Sequence, residues 1–198
     1  MICMTFRRLI LVLALALGIG LGCTDTALAA GGNYTVVGGT PRNAAQIRRA
    51  LNASSFDWSL VQAQITIHVA GSESFSTPGH IWLSPKLLAS GSFSWGVVQH
   101  EYAHQVDFFL LDDAQRALLT RQFHASDWCY GTPGLSHEQY GCERFASTLA
   151  WAYWTDRRNS QRPTSAKDES AAMAPARFRV LVARMLGSGN LLPLDRPF

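Results

Sequence analysis

One segment of the chain constrains its fold more than any other. Residues 92–111 are predominantly apolar and contain no proline, and no glycine after Gly96. A segment of this length and composition predicts a long, largely buried helix. Within it stand two histidines and a glutamate, His100, Glu101 and His104. Because buried polar groups are costly unless they find partners, the fold must provide a polar site beside this helix.

The spacing of these three residues is the His-Glu-x-x-His pattern. A helix turns once every about 3.6 residues, so His100 and His104 project from the same face and can direct two imidazoles at one Zn²⁺. Glu101 then lies beside them, where it can act as a general base and acid. The sequence therefore predicts a zinc centre in which His100 and His104 are ligands and Glu101 is catalytic.

A zinc centre of this kind needs a third protein ligand. The downstream candidates are His124, His137, Glu138 and Glu143. Asp107 lies too close along the same helix, and Leu110 excludes the class that has its third histidine there. Glu143 is preferred because it opens a helix predicted over residues 142–154, and helices position ligands better than loops do. A solvated carboxylate at a helix N-terminus remains the alternative interpretation of Glu143.

The start of the chain is typical of a signal peptide. Two arginines precede thirteen uncharged apolar residues, and an Ala-x-Ala step ends at Ala29. Residues 1–29 are therefore predicted to be removed, leaving residues 30–198 as a single secreted domain. The apolar stretch is too short to span a bilayer comfortably, so no stable membrane span is expected. A lipid anchor at Cys23 is a second interpretation.

Removal of this leader changes the charge and the cysteine count. The whole chain carries a net charge of +3, and the mature domain would carry 15 basic and 13 acidic side chains, a net charge of +2. These basic side chains are scattered, so no nucleic-acid partner is expected. Of four cysteines, Cys129 and Cys142 remain. Two cysteines in an exported domain predict one disulfide.

Hydrophobic periodicity predicts an α+β fold that is mostly helical with a short sheet. Two helices are already predicted over residues 92–111 and 142–154. Three more are expected over residues 41–52, 112–123 and 174–186, and strands are expected over residues 64–70 and 80–84. Residues 71–79 and 125–139 are interpreted as loops, and residues 155–169 as a polar surface connection. His68 and His80, on or beside the strands, are expected to have no functional role.

Two motifs resemble the gluzincins, zinc peptidases with two histidines and one glutamate as ligands. The first motif runs from His100 to Asp107, and Glu143 opens a Glu-Arg-Phe-Ala step 39 residues after His104. Among gluzincins the motifs are most similar to the anthrax lethal factor catalytic domain and its relatives. These proteins share the aspartate three residues after the second histidine and the Glu-x-Phe-Ala start of the ligand helix. The resemblance covers roughly residues 79–154.

The resemblance implies a small zincin-like domain. It implies that the strand at residues 80–84 is a sheet edge that pairs with extended substrate. It also implies that Tyr140, in a Tyr-Gly step before the ligand helix, stabilises the oxyanion, with His137 as the alternative. Relatives often carry an acidic residue four positions after the glutamate ligand, where this chain has Ser147. The support for the metal site is therefore expected to be weaker or to be built differently.

Together these observations predict an exported, monomeric zinc metallopeptidase that acts on peptide or protein substrates. Glu101 would take a proton from water and pass it to the leaving amine. Two other functions stay open. One is a secreted binding module that uses zinc for stability and has no turnover. The other is a hydrolase of cell-wall peptides or amides, although the chain contains no recognisable wall-binding repeat.

Overall fold

The computed structural model describes residues 32–187. The predicted signal peptide and the alternative lipid anchor at Cys23 lie outside the described residues. Within residues 32–187 the chain has an α+β architecture, with six helices and one four-stranded mixed sheet. None of the helices in that range has the length and hydropathy that a membrane crossing requires.

The sheet has the strand order β1-β2-β4-β3. The strands are β1 (Tyr34–Gly38), β2 (Ile65–Val69), β3 (Phe75–Thr77) and β4 (His80–Leu83). Strands β1, β2 and β4 are parallel to one another, and β3 runs antiparallel to β4. In β2, Ile65, Ile67 and Val69 are buried while Thr66 and His68 face the other side. One face of the sheet therefore packs on the core.

The strand order corrects one prediction. Strand β4, expected at residues 80–84 as the sheet edge, is an interior strand, because β3 pairs with its outer side. The sequence placed residues 71–79 in a loop, since three residues are too few for a recognisable alternation. Pro78 and Gly79 form the tight turn between β3 and β4, and the φ of +79° at Gly79 suits that position. The edge strand that precedes the buried helix is β3.

Residues 32–187 contain six helices. They are α1 (Pro41–Ala53), α2 (Pro85–Leu88), α3 (Ser94–Leu110), α4 (Asp113–Gln122), α5 (Gly141–Ala152) and α6 (Pro175–Gly187). The five longer ones confirm the predictions to within two residues at each end. Thr40 and Asp112 each form a capping box at the start of α1 and α4, which fixes where those helices begin. Strand β1 and helix α2 were not predicted.

Helix α3 lies at the centre of the domain. It packs against α5, α1 and strand β3, and every residue from 98 to 107 is buried. At Gly96 an added Cβ would lie 2.2 Å from Asn159 Oδ1 and 2.5 Å from Ser160 Oγ. Position 96 has no side chain, so the segment after α5 can lie directly on α3, one turn before His100.

Candidate metal centre

Three side chains from two packed helices meet at one point. His100 and His104 come from consecutive turns of α3, and Glu143 comes from the first turn of α5. The two imidazole Nε2 atoms lie 3.2 Å apart. Glu143 Oε2 lies 3.2 Å from His100 Nε2 and 3.4 Å from His104 Nε2. The three residues that the sequence singled out as ligands are thus brought together, and all three are buried.

The packing of α3 on α5 makes this approach possible. Ala146, Ser147 and Ala150 on α5 are fully buried, and so is Ala103 on α3. Small side chains at a helix interface let the two backbones come close. The expectation that the thin side of α5 packs against the histidine-bearing helix is confirmed.

The separations in this cluster fit a metal ion. Ligands at about 2.0–2.1 Å from a tetrahedral zinc lie about 3.3–3.4 Å from one another. In addition, Glu143 Oε2 is buried and has no hydrogen-bond partner among the described residues. A buried carboxylate oxygen without a partner costs free energy, and a cation placed between the three atoms removes that cost. Imidazole and carboxylate are donors that Zn²⁺ accepts.

The electrostatics of the cluster also favour a cation. Burial acts to raise the pKa of Glu143, but the His100 and His104 imidazoles outweigh burial and hold that pKa well below its usual range. Burial acts to lower the pKa of His100, yet Glu143, Glu101 and Glu169 together raise it. The cluster thus favours positive charge at its nitrogens, and the same three side chains could hold a metal ion in place of a proton.

Glu101, predicted as the catalytic carboxylate, lies toward the edge of the sheet. Its side chain is 5% exposed. The hydroxyl of Ser76 on β3 lies 2.8 Å from Glu101 Oε2 and 2.8 Å from the Glu101 carbonyl oxygen. Gln105, one turn later, accepts a hydrogen bond from the Gly79 amide and donates to the Thr77 carbonyl. The two side chains fix the β3–β4 hairpin to α3 beside the cluster.

Tyr140, predicted to stabilise the oxyanion, is not the tyrosine that contacts the cluster. It is buried, and its hydroxyl donates a 2.8 Å hydrogen bond to the Thr132 carbonyl. Tyr130 instead donates a 2.7 Å hydrogen bond to Glu143 Oε1. The sequence held a signal for it, because Tyr130-Gly131 is also a Tyr-Gly step before the ligand helix. The resemblance implies Tyr140 because Tyr140-Gly141 lies just before the ligand helix, although its spacing to Glu143 is shorter than in the relatives.

The predicted disulfide between Cys129 and Cys142 is present. It joins the loop before α5 to the first turn of that helix, and Tyr130 and Glu143 are the residues that follow the two cysteines. Tyr130 has a φ of +54°, in the left-handed region that non-glycine residues seldom adopt. The bridge, together with the hydrogen bond from the Cys142 amide to the Trp128 carbonyl, holds the loop beside the start of α5, where the hydroxyl of Tyr130 meets the carboxylate of Glu143.

His137, the alternative oxyanion donor, lies at the open side of the cluster. Its Nε2 is 3.2 Å from Glu143 Oε2, and its Nδ1 contacts Glu169 Oε1. The contact with Glu169 raises the pKa of His137, with burial opposing the shift. The side chain is 54% exposed. The possible ligand atoms of His137, Glu143 and Glu169 lie close together, and they form a second cluster beside the one that contains the two imidazoles of α3.

Glu169 is a residue of the site that the sequence did not predict. It begins the 3₁₀ helix Glu169–Ala171, in a segment interpreted as a surface connection. Ser147 Oγ lies 2.7 Å from Glu169 Oε2 and 3.0 Å from His100 Nδ1. No local pattern marks Glu169, because its contacts depend on how this 3₁₀ helix packs on α5.

The remaining candidate ligands lie elsewhere. Asp107 accepts hydrogen bonds from Arg116 Nε at 2.8 Å and from Trp128 Nε1 at 3.2 Å. Its carboxylate therefore stabilises the packing of α4 and the loop before α5 on α3. His124 and Glu138 are exposed.

Comparison of the chain with protein-family models, with curated proteins and with solved structures finds no match. The resemblance to gluzincins therefore stays a prediction. Its support comes from the motifs and from the geometry of His100, His104 and Glu143.

Proposed function

We propose that the protein is a zinc-dependent metallopeptidase of the gluzincin type, with His100, His104 and Glu143 as its ligands. The observation that supports this most directly is the set of 3.2–3.4 Å separations among the three ligand atoms, with Glu143 Oε2 buried and without a hydrogen bond. The α+β fold, with an edge strand fixed to the helix that carries the two histidines, is compatible with a zincin-like domain.

The positions of the side chains support the catalytic roles that we propose. When bound, zinc supplies Lewis-acid chemistry, which activates water and polarises a carbonyl. Glu101 takes the proton from the attacking water and transfers it to the leaving amine, so one carboxylate serves as base and then as acid. The hydrogen bond from Ser76 holds that carboxylate between α3 and the sheet edge.

Tyr130 and His137 are the groups that can stabilise the developing oxyanion, and they replace Tyr140 in the proposal. Both contact Glu143 from the open side of the cluster. Burial and the nearby Glu143 carboxylate raise the pKa of Tyr130, so its hydroxyl keeps its proton and remains a donor. That single proton is donated to Glu143 Oε1, so Tyr130 would have to turn from this oxygen to serve the oxyanion.

Strand β3 is the proposed place for an extended peptide substrate. Its outer side is an edge of the sheet, and Ser76 connects it to Glu101. Main-chain pairing with an edge strand binds many sequences alike. The disulfide supports the further proposal of a secreted or cell-envelope location, since such bridges persist in oxidising compartments.

The test uses the mature protein, residues 30–198, produced under oxidising, zinc-replete conditions. Elemental analysis should find one zinc per chain, and incubation with a mixed peptide library should release new N-termini. Glu101→Gln should keep the zinc and lose hydrolysis. Asp113→Asn, a fully exposed carboxylate on α4, is the control and should behave as wild type.

Each outcome separates the proposal from its alternatives. Purified protein without zinc would contradict the metal centre itself. Protein that holds zinc but leaves the peptide library intact is not a general peptidase. If it also leaves cell-wall peptides intact, a zinc-stabilised binding module is the better description. Cleavage confined to cell-wall peptides or amides would identify the hydrolase alternative.

A further inference from the structure

We propose that Glu169 is a positioning residue for the metal centre: it orients His100 through Ser147 and His137 directly. This inference deepens the proposed function and rests on it. Metal-ligating histidines usually donate their second ring N–H to another group, and that group fixes the ring and its tautomer. Here one carboxylate would serve two imidazoles from different parts of the chain.

The first path runs from His100 to Glu169 through one hydroxyl. Ser147 Oγ lies 2.7 Å from Glu169 Oε2 and 3.0 Å from His100 Nδ1. An ionised carboxylate only accepts hydrogen bonds, and a serine hydroxyl has one proton. The Ser147 proton therefore points to Glu169, and the Ser147 oxygen must accept from His100 Nδ1–H.

This assignment of protons decides which nitrogen of His100 can bind a metal. With the proton on Nδ1, His100 Nε2 keeps its lone pair, and Nε2 is the atom that faces Glu143 and His104. Ser147 Oγ also lies 3.1 Å from Gln161 Oε1. The Glu169 carboxylate is both closer and charged, so it is the stronger acceptor.

The second path is direct. The other oxygen of Glu169, Oε1, contacts His137 Nδ1. The same reasoning places the Nδ1 proton on the side of Glu169, so the ring is oriented with Nε2 toward Glu143. Both oxygens of Glu169 are thus used, one for an imidazole inside the cluster and one for an imidazole at its open side.

The fold holds Glu169 firmly enough for this role. The 3₁₀ helix Glu169–Ala171 packs on α5, and Thr148 Oγ1 donates a 3.3 Å hydrogen bond to the Glu169 carbonyl. Just before it, Asp168 accepts hydrogen bonds from Thr164 and Ser165, which closes the preceding turn. The Glu169 side chain is 19% exposed. Its backbone is therefore anchored on both sides while its carboxylate faces the centre.

The test measures zinc affinity by competition with a chromogenic chelator, in the mature protein and four variants. Glu169→Gln and Ser147→Ala should each weaken zinc binding by about 10–100-fold, the usual effect of removing such a partner. Glu73→Gln, an exposed glutamate before β3, is the matched control and should bind zinc as wild type does. Circular dichroism before titration checks that each variant is folded.

A rescue variant separates positioning from packing. Ser147→Asp in the Glu169→Gln background places a carboxylate next to His100 Nδ1 and should restore most of the zinc affinity. It leaves His137 without its partner, so kcat at saturating zinc should stay below that of Ser147→Ala. Neither result is expected if Glu169 only stabilises the fold.

Three results would overturn the inference while leaving the proposed function standing. One is a folded Glu169→Gln variant that binds zinc as tightly as wild type. Another is an unchanged affinity in Ser147→Ala, which would break the path through the hydroxyl. The third is a failure of Ser147→Asp to restore binding. If wild-type protein itself binds no zinc, the proposed function fails instead, so the two failures are distinguishable.

Discussion

Within residues 32–187, two pairs of histidines have ring nitrogens at the same distance from each other but lie in different surroundings. In the inner pair, His100 Nε2 and His104 Nε2 lie 3.2 Å apart between α3 and α5. In the outer pair, His68 Nε2 and His80 Nδ1 also lie 3.2 Å apart, on the exposed face of the sheet. Distance between imidazoles alone therefore does not distinguish a metal centre from a surface contact.

The difference lies in what surrounds each pair. The outer imidazoles pack beside the Trp82 ring, with centroid distances of 4.9 and 5.7 Å, and their ring nitrogens can satisfy each other. No third metal-ligating side chain joins them within residues 32–187. The inner pair shares its space with a buried carboxylate oxygen that has no hydrogen-bond partner. That oxygen is the feature that supports the proposed cation site at the inner pair and not at the outer one.

The largest effect is expected from removing one histidine of each pair. His104→Ala should lose stoichiometric zinc and peptide hydrolysis together, because two ligands remain of three. His80→Ala, its counterpart in the outer pair, should keep both. Elemental analysis after gel filtration measures the zinc. A variant lacking His104 that still carries one zinc per chain would erase the distinction between the two pairs.

A second prediction concerns the hydroxyl of Tyr130, which contacts the inner cluster and has no counterpart at the outer pair. Tyr130→Phe should lower kcat by about 10²-fold, at the lower end of the range for removing an oxyanion donor. Tyr140→Phe is the matched control and should change kcat little, since its hydroxyl contacts the Thr132 carbonyl. Steady-state kinetics at saturating zinc compares them. The reverse order of effects would return the role to Tyr140.

A third prediction uses metal removal. Zinc at about 100 times its dissociation constant should stabilise the folded protein by about 2.7 kcal/mol relative to the metal-free form. His80→Ala should show the same stabilisation, and His104→Ala should show almost none. Denaturant unfolding with zinc and with a chelator gives the difference. Equal loss of the zinc effect in both variants would mean that the outer pair contributes to binding.

The smallest effect is expected from pH. Because Glu143, Glu101 and Glu169 outweigh burial and raise the pKa of His100, protons should compete with zinc from above the ordinary histidine pKa of about 6.5. Zinc affinity should therefore fall as pH decreases through that raised value. The metal-free protein should respond oppositely: protonated His100 stabilises the fold at low pH, and that contribution is lost as pH rises. Chelator competition and metal-free unfolding at several pH values test both directions.

The parts of the site that the sequence predicted are those that depend on local spacing. His100, Glu101 and His104 lie within five residues of one helix, so their common location follows from helical geometry alone. Glu143 could be chosen because it opens a helix with a thin, small-residue side. Five helices and the disulfide were also predictable, from apolar periodicity, chain breakers and the two remaining cysteines.

The parts that the sequence did not predict depend on tertiary packing. Strand β3 is too short for a period-2 pattern, and it exists because β4 offers it a partner. In the sequence Glu169 looks like any exposed glutamate. Its contacts form only because the segment after α5 folds back over α3, where Gly96 leaves room for that segment. Tyr130 lies 13 residues before Glu143 along the chain, and only the folded loop brings the two side chains into contact.

The disulfide between Cys129 and Cys142 has a consequence for when the centre is completed. Packing of α3 on α5 can bring the three ligand side chains together in a chain whose thiols are still reduced. The position of Tyr130 against Glu143 depends on a covalent bond that forms only under oxidation. Oxidation of the two thiols, and not folding alone, therefore helps to set the contact between Tyr130 and Glu143.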